Sequence, residues 1–138
     1  MQRIYLDSNI FIAFIKSELG KGFKLMAQDV EDFFRKCPKN YVLILSEWFF
    51  KEVEKNGYYS KQEVLELLSK KKIQYEIIDA TEIDLINAKN NFKDIHTTDA
   101  LHLVLALKSK CSIFLTFNIK DFKSAKEVIE IKEPSNLD

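Results

Sequence analysis

Carboxylates follow apolar segments at separate places in this chain, a pattern that suits metal chemistry. Asp7 interrupts the apolar run at the start of the sequence, and Glu47 comes shortly after a second apolar run. Asn118 and Asp121 follow a third run, which ends at Thr116. Moving a charge out of water is costly. A carboxylate at the end of a buried strand therefore indicates a nearby cation or a set of hydrogen-bond donors.

A further acid, Asp99, opens an apolar helical segment, where a helix N-terminus favours negative charge. The carboxyl ends of parallel strands lie at one edge of a sheet, so Asp7, Glu47 and Asp99 are expected to meet. Carboxylates in proximity repel one another, and a bound cation removes that conflict. Oxygen ligands without His or Cys favour a hard ion, Mg²⁺ or Mn²⁺. Such an ion suits phosphodiester hydrolysis, because it generates hydroxide from water and stabilises charge on the phosphate.

Strand-like and helix-like segments alternate along the sequence, which indicates an α/β domain with a mainly parallel sheet. Ser8, Ser46 and Ser60 are predicted to cap the helices that follow them. A break is predicted at 20–22, and Pro38 is expected to end the second helix. The predicted strands are 3–6, 41–45, 73–78, 111–116 and 127–131. The predicted helices are 9–17, 23–36, 47–55, 61–70, 80–92 and 98–108.

The composition indicates an ordinary globular protein, because 46% of the 138 residues are hydrophobic and 30% are charged. We expect a single domain over residues 1–138, with the last few residues as a flexible tail. Basic and acidic residues both number 21, so the formal net charge is zero, which argues against a generally basic nucleic-acid binder. Cys37 and Cys111 are expected to be reduced, buried thiols. With no long apolar segment and no signal-peptide pattern, the sequence predicts a cytoplasmic protein without membrane contact.

Four segments, in this order, resemble the motifs of PIN-domain ribonucleases, in particular the VapC-type toxins of prokaryotic toxin–antitoxin pairs. They are LDSNIFI around Asp7, LSEWFFKEV around Glu47, TTDALHLVLAL around Asp99, and IFLTFNIKDF after them. Each segment alone is a weak signal. All four in order, over most of the chain, make the resemblance specific.

The resemblance implies a three-layer α/β/α domain with a central, mainly parallel sheet that binds Mg²⁺ or Mn²⁺ and cleaves RNA. It also implies a homodimer and a small antitoxin protein as partner. Asn118 departs from the family pattern, which often has Asp there, so Asp121 is an alternative for the fourth position. The predicted catalytic residues are Asp7, Glu47, Asp99 and Asp121, the predicted metal ligands are Asp7, Glu47, Asp99 and Asn118, and the predicted supporting residues are Ser8, Asn9 and Thr116.

Some of these residues have simpler interpretations. Asn118 and Asp121 are equally compatible with a surface loop. His102 lies on an apolar helix and is interpreted as a buried core residue rather than a base. Thr97 or Thr98 is expected to cap that helix.

Alternative functions also stay open at this point. A PIN-like module without activity could bind RNA or a protein, and an RNA-processing nuclease could share the motifs without belonging to a toxin–antitoxin system. A phosphotransferase of the haloacid-dehalogenase kind would need an acid where Asn9 stands. Metal binding through Asp7 and Asp99 would distinguish an active site from an inactive module.

Overall fold

A parallel sheet at the centre organises the protein. The computed structural model describes residues 1–18 and 24–137. Its strands are β1 (Gln2–Leu6), β2 (Tyr41–Ser46), β3 (Gln74–Ile78), β4 (Ile113–Leu115) and β5 (Glu130–Lys132). Its α-helices are α1 (Ser8–Glu18), α2 (Lys24–Asn40), α3 (Glu47–Gly57), α4 (Lys61–Lys70), α5 (Glu82–Asn91) and α6 (Thr97–Lys108). Two 3₁₀ segments lie at Ile119–Ala125 and Pro134–Asn136. The predicted break at 20–22 lies outside the described residues.

Within those ranges the five strands pair in the order β3-β2-β1-β4-β5, and every pairing is parallel. Strand β1 is central, because Ile4 pairs with Leu43 of β2 on one side and with Ile113 of β4 on the other. Parallel pairing places the carboxyl ends of the strands at the same edge of the sheet. Asp7 follows β1 at that edge, and Thr116 follows β4.

Helices cover both faces of the sheet, which gives three layers. Side chains alternate between the faces along a strand. Ile4 and Leu6 therefore pack with apolar residues of α1, α2 and α3, whereas Tyr5 packs with those of α6. The predicted α/β/α architecture with a parallel sheet is confirmed. None of the helices in the described ranges combines the length and hydropathy needed to cross a membrane.

Serine side chains cap the starts of two helices. Ser46 Oγ accepts a hydrogen bond from the backbone N–H of Phe49 at the start of α3. Ser60 and Glu63 form a reciprocal capping box at the start of α4. Both predicted caps are confirmed.

Two other helix starts differ from the prediction. Helix α1 begins at Ser8 itself, which is buried, rather than after it. Helix α6 is capped by His96, whose Nδ1 accepts a hydrogen bond from the N–H of Thr98, and not by Thr97 or Thr98. A ring nitrogen can satisfy an unpaired N–H of the first turn as a hydroxyl does.

The prediction that Pro38 ends the second helix is wrong, because α2 continues to Asn40. Proline removes one N–H donor and crowds the carbonyl four residues earlier. In the last turn this costs only one backbone bond. The side chain of Asn40 donates to the carbonyl of Lys36 at 2.8 Å and so supports the same turn.

The last residue that the structure describes, Leu137, packs on the domain, where the sequence predicts a flexible tail. Leu137 is only 7% exposed and belongs to the same core cluster as Ile4. Lys36 Nζ on α2 donates to the carbonyl of Leu137 at 3.3 Å. The last strands are also shorter than predicted, with three residues each in β4 and β5.

Candidate functional site

Asp7 is an acid held almost out of solvent at the edge of the sheet. It is 8% exposed, and its own N–H donates to the carbonyl of Leu115 at 3.0 Å. Its Oδ2 accepts a hydrogen bond of 2.8 Å from Thr116 Oγ1 and another of 3.3 Å from Asn9 Nδ2. Both bonds use the same carboxylate oxygen. They fix the orientation of Asp7 without using Oδ1.

Asn9 and Thr116 also connect Asp7 to the loop after β4. Asn9 Nδ2 donates to Thr116 Oγ1 at 3.1 Å, and Asn9 Oδ1 accepts from the N–H of Phe117 at 3.2 Å. Thr116 Oγ1 additionally accepts from the N–H of Asn118 at 3.0 Å. Two of the three predicted supporting residues, Asn9 and Thr116, thus form one network with Asp7, which ties helix α1 to the end of β4.

The surroundings of Asp7 disfavour its ionised form. Burial raises the pKa of Asp7 above its ordinary value, and the charges of Glu52 and Asp99 raise it further. His102 and the hydrogen bond from Thr116 act in the opposite direction. A cation beside this carboxylate would relieve the unfavourable contributions.

Asp99 shows the same electrostatic pattern at the first turn of α6. Burial raises the pKa of Asp99, and the charge of Asp121 is the next largest contribution in that direction. His102 and His96 lower the pKa, whereas Glu52 raises it. Asp7 and Asp99 are therefore two half-buried or buried acids surrounded by further acids, as expected for residues that share one site.

Glu47 has a different position from the one predicted. Its Oε1 accepts a hydrogen bond of 2.7 Å from Lys61 Nζ on α4, and both side chains are partly exposed. At 3.6 residues per turn, Glu47 and Glu52 are about 140° apart around α3, so both cannot face the same site. The structure turns Glu47 towards α4 and Glu52 towards α6.

Glu52 is an acid near Asp7 and Asp99 that the sequence analysis did not single out. Its charge acts on both Asp7 and Asp99. Its Oε1 lies 3.1 Å from Nε2 of the buried His102. Two signals were available in the sequence: Glu52 follows the apolar residue Phe49 by three positions on the same helix face, and His102 needs a polar partner inside an apolar helix.

His102 itself is buried with both ring nitrogens hydrogen-bonded, Nδ1 to the hydroxyl of Tyr5 and Nε2 to Glu52. The interpretation of His102 as a satisfied core residue is confirmed. When protonated, His102 is close enough to Asp7 and Asp99 for its charge to lower the pKa of each.

Asn118 lies in the loop after β4 and Asp121 lies in the 3₁₀ segment that follows it, and both residues are exposed. The N–H of Asp121 donates to the carbonyl of Asn118 at 3.1 Å. Of the two, Asp121 is the one whose charge acts on Asp99. The contact of Asn118 with the network is through its backbone N–H, which bonds Thr116.

Two solved structures resemble this chain over nearly its whole length. One is a toxin–antitoxin complex from Klebsiella pneumoniae, with a TM-score of 0.61 and 20% sequence identity, covering 95% of this chain and 97% of that chain. The other is VapBC2 from Rickettsia felis bound to a DNA fragment from its promoter, with a TM-score of 0.65 and 19% identity, covering 96% of this chain and 98% of that chain. The protein has a PIN-like fold. No protein-family model and no curated protein matches the sequence.

At 19–20% sequence identity, the two solved structures show only that this chain has a PIN-like fold. Whether it can bind a metal ion therefore has to be argued from its own residues. In residues 1–18 and 24–137, no three His, Cys, Asp or Glu side chains are close enough to hold a metal ion by themselves. A closed zinc-type cage is therefore not built by the described side chains. Mg²⁺ needs no such cage, because it usually keeps several waters and binds through one or two carboxylates. Asp7 and Asp99 fit that requirement.

Proposed function

We propose that this protein is a metal-dependent endoribonuclease and the toxin of a toxin–antitoxin pair. The proposal rests on the position of the buried Asp7 carboxylate, held by Thr116 and Asn9 at the end of β1, where the charges of Glu52 and Asp99 act on it. Asp7 and Asp99 each have a raised pKa, because they are buried or half-buried and lie beside other acids. Such an arrangement is costly unless a cation binds it. The PIN-like fold, found in two toxin–antitoxin structures, supports the same function.

In the proposed mechanism, Asp7 and Asp99 would hold Mg²⁺ or Mn²⁺, with waters as the remaining ligands. When bound, the ion would supply a hydroxide nucleophile and stabilise the charge that develops on the phosphate. Thr116 and Asn9 keep the Asp7 carboxylate in one orientation through Oδ2. Asp121 is exposed, and it would accept a proton from the attacking water.

Glu52 replaces Glu47 in the proposed site. Its side chain is 30% exposed, so one carboxylate oxygen can bond His102 while the other remains available to a water in the site. Glu47 is neutralised by Lys61, and its proposed contribution is confined to the contact between α3 and α4.

The proposed partner is a small antitoxin protein. Both structural neighbours come from toxin–antitoxin complexes, and each matches nearly the whole of this chain. A toxin that cleaves cellular RNA has to be kept inactive by a partner while the cell grows. Co-expression with a small protein encoded beside it would test this part of the proposal, and isolation of a stable one-to-one complex is the expected result.

A homodimer is the proposed assembly, and an apolar surface supports it. Trp48 is 41% exposed, and Ile83 and Ile86 on α5 are 69% and 55% exposed. A groove of about 450 Å³ lies beside them, lined by Trp48, Leu85 and Leu101 among others. Exposed apolar surface of this kind is typical of an interface. Light scattering is expected to show a dimer for the wild type and a monomer for a folded Leu85→Lys variant.

RNA cleavage by the wild type and by Asp7→Asn tests the nuclease directly. Both proteins would be incubated with a mixture of single-stranded and structured RNAs in Mg²⁺, in Mn²⁺ and in chelator. Asp94→Asn is the matched control, since Asp94 is an exposed acid. We expect metal-dependent cleavage by the wild type and by Asp94→Asn, and none by Asp7→Asn. Equal cleavage by all three proteins, or cleavage in chelator, would contradict the proposal.

An inactive PIN-like binding module is the second candidate. It is favoured by one observation, namely that no ready-made group of three metal-binding side chains occurs in the described parts of the chain. Calorimetry with Mn²⁺ separates the two candidates. Binding by the wild type that is lost in Asp7→Asn supports the nuclease, whereas identical heats for both proteins support the module.

A further inference from the structure

A buried chain of hydrogen bonds leads from the centre of the sheet to Glu52. His102 is 2% exposed and Tyr5 is fully buried. The Tyr5 hydroxyl bonds Nδ1 of His102, and Nε2 of the same ring bonds Glu52 Oε1 at 3.1 Å. Tyr5 also stacks on Phe114, with ring centroids 5.3 Å apart and an interplanar angle of 11°. The packing therefore leaves the two rings one arrangement.

The direction of the hydrogen bonds follows from the donors available. An ionised Glu52 only accepts, so Nε2 of His102 must carry the hydrogen. In the neutral ring Nδ1 then accepts, and Tyr5 donates to it. Burial raises the pKa of Tyr5, which keeps its hydroxyl proton in place.

Glu52 is the partly exposed member of the chain, whereas Tyr5 and His102 are buried. It lies on α3, its side chain is 30% exposed, and its charge acts on both Asp7 and Asp99. A free glutamate at this exposure would populate several rotamers. The bond from His102 fixes Oε1 and so limits where Oε2 can lie.

We propose that Tyr5 and His102 are positioning residues, which hold Glu52 Oε1 so that Oε2 faces the site formed by Asp7 and Asp99. The inference rests on the proposed nuclease function, in which Glu52 acts on waters of the site. Neither Tyr5 nor His102 touches the substrate in this assignment; both act through Glu52. If Tyr5 and His102 had a purely structural role, they would be just as buried. The effect of replacing them on the site would then not depend on the Glu52 carboxylate.

The tautomer of His102 tests the hydrogen-bond chain without any activity. Nitrogen NMR of histidine-labelled protein is expected to show a single Nε2–H tautomer for His102 in the wild type. Tyr5→Phe removes the donor to Nδ1 and is expected to abolish that single tautomer. Tyr75→Phe, which removes a hydroxyl from β3, is the control and should leave the spectrum of His102 unchanged. An Nδ1–H tautomer in the wild type would overturn the proposal.

A double-mutant cycle with Glu52→Gln tests the positioning role. Outer partners of metal-binding groups change affinity or activity by about 10- to 100-fold, so Tyr5→Phe is expected to lower Mn²⁺ affinity and RNA cleavage about tenfold. In the Glu52→Gln background the same substitution should have no further effect. An equal loss in both backgrounds would overturn the proposal, because it would show that Tyr5 does not act through Glu52.

Rescue and folding controls keep the outcome decisive. His102→Gln, which retains an N–H donor, is expected to keep more Mn²⁺ affinity than His102→Leu, and equal losses would count against positioning. Circular dichroism confirms that each variant is folded. The Mn²⁺ cycle and the tautomer need no RNA. If the wild type cleaves no RNA but both measurements give the expected result, the nuclease proposal fails and the positioning role stands.

Discussion

Thr116 Oγ1 donates a hydrogen bond of 2.8 Å to Asp7 Oδ2, between residues that are 109 positions apart in the sequence. The pairing of Leu6 with Leu115 brings the ends of β1 and β4 side by side, and each of these two residues is followed directly by one partner of the bond. The orientation of the acid is therefore set by the register of the sheet. Because the sheet holds β1 and β4 in register, the hydrogen bond from Thr116 keeps the Asp7 carboxylate in one orientation.

Replacing Thr116 by Val is predicted to impair the site while preserving side-chain shape. Asp7 loses its shortest donor, and Asn9 and Asn118 lose a shared acceptor. We expect Mn²⁺ affinity and RNA cleavage to fall about tenfold or more. We also expect the free energy of unfolding to fall by about 1–3 kcal/mol, because buried polar groups lose their partners. Calorimetry with Mn²⁺ and urea unfolding would measure the two effects.

Thr116→Ser is the matched control for that prediction, because it keeps the hydroxyl and removes only a methyl group. Its metal affinity should stay close to that of the wild type. If Thr116→Val and Thr116→Ser bind Mn²⁺ equally well, the hydrogen bond to Asp7 has no part in metal binding.

The second prediction compares Glu47 and Glu52, which lie on the same helix, α3. Glu52→Gln is expected to lower RNA cleavage strongly, because the charge that acts on Asp7 and Asp99 is removed. Glu47→Gln should retain most of the activity. Its only measured consequence should be the loss of a partly exposed ion pair with Lys61, which contributes about 0–1 kcal/mol. Cleavage rates and urea unfolding of the two variants would be compared side by side.

The opposite ranking would contradict the geometry. A Glu47→Gln variant that loses cleavage while Glu52→Gln keeps it would mean that Glu47 leaves Lys61 and turns to the site when substrate binds. Lys61→Met, which frees Glu47 without altering it, would then be expected to change the rate as well.

The same pair of residues shows how far the sequence could predict the site. Asp7 and Asp99 were identifiable because a buried strand or an apolar helix leads directly to each of them. Glu47 met the same criterion, since it follows β2. The rotation of α3, which packs against α1 and α4, turns Glu47 towards Lys61 instead. Contacts such as Lys61 with Glu47 and His102 with Glu52 join distant segments, and no local pattern contains them.

The fold could be predicted further than the site. Apolar strands and serine caps gave the element order and the parallel sheet, because both are local signals. The predictions that Pro38 ends a helix and that the last few residues form a flexible tail relied on local patterns alone. The helix tolerates Pro38 in its last turn, and Leu137 is buried against α2 by contacts with Lys36 and the core. Tertiary packing overrides a local preference in both cases.

The pH dependence of stability gives the third prediction, through Asp7. Burial raises the pKa of Asp7 above its ordinary value of 3.8, so the folded protein holds this proton more tightly than the unfolded chain does. Below the pKa that Asp7 has in the unfolded chain, its protonated carboxyl contributes its full stability. This contribution is lost as the pH rises through the higher pKa that Asp7 has in the folded protein. Asp7→Asn cannot ionise and avoids that loss.

Thermal unfolding in chelator would measure this effect. Asp7→Asn is expected to have a higher Tm than the wild type at about pH 7, and the difference should shrink as the pH falls to about 4. Asp94→Asn, at an exposed acid, should show no such trend. A lower Tm for Asp7→Asn at every pH would mean that the hydrogen bonds from Thr116 and Asn9 outweigh the cost of burying the charge.

The fourth prediction concerns the end of α6, far from the proposed chemistry. Lys110 is exposed and has φ of 57°, in the left-handed region. The helix ends there because the N–H of Lys110 donates to Leu107 and the N–H of Cys111 donates to Ala106, as in a Schellman turn. A side chain in this region costs about 1–2 kcal/mol, because its Cβ approaches the following carbonyl. Glycine has no Cβ and avoids that cost.

Lys110→Gly is therefore expected to raise the free energy of unfolding by about 0.5–1 kcal/mol, since relief of strain exceeds the extra flexibility that glycine gives the unfolded chain. Lys110→Ala keeps the Cβ and should give no gain. Lys72, with φ of 59° at the end of α4, offers an independent repeat of the same comparison. Urea unfolding would measure all three variants. A loss of stability in Lys110→Gly would show that the charged side chain at the helix C-terminus contributes more than its backbone conformation costs.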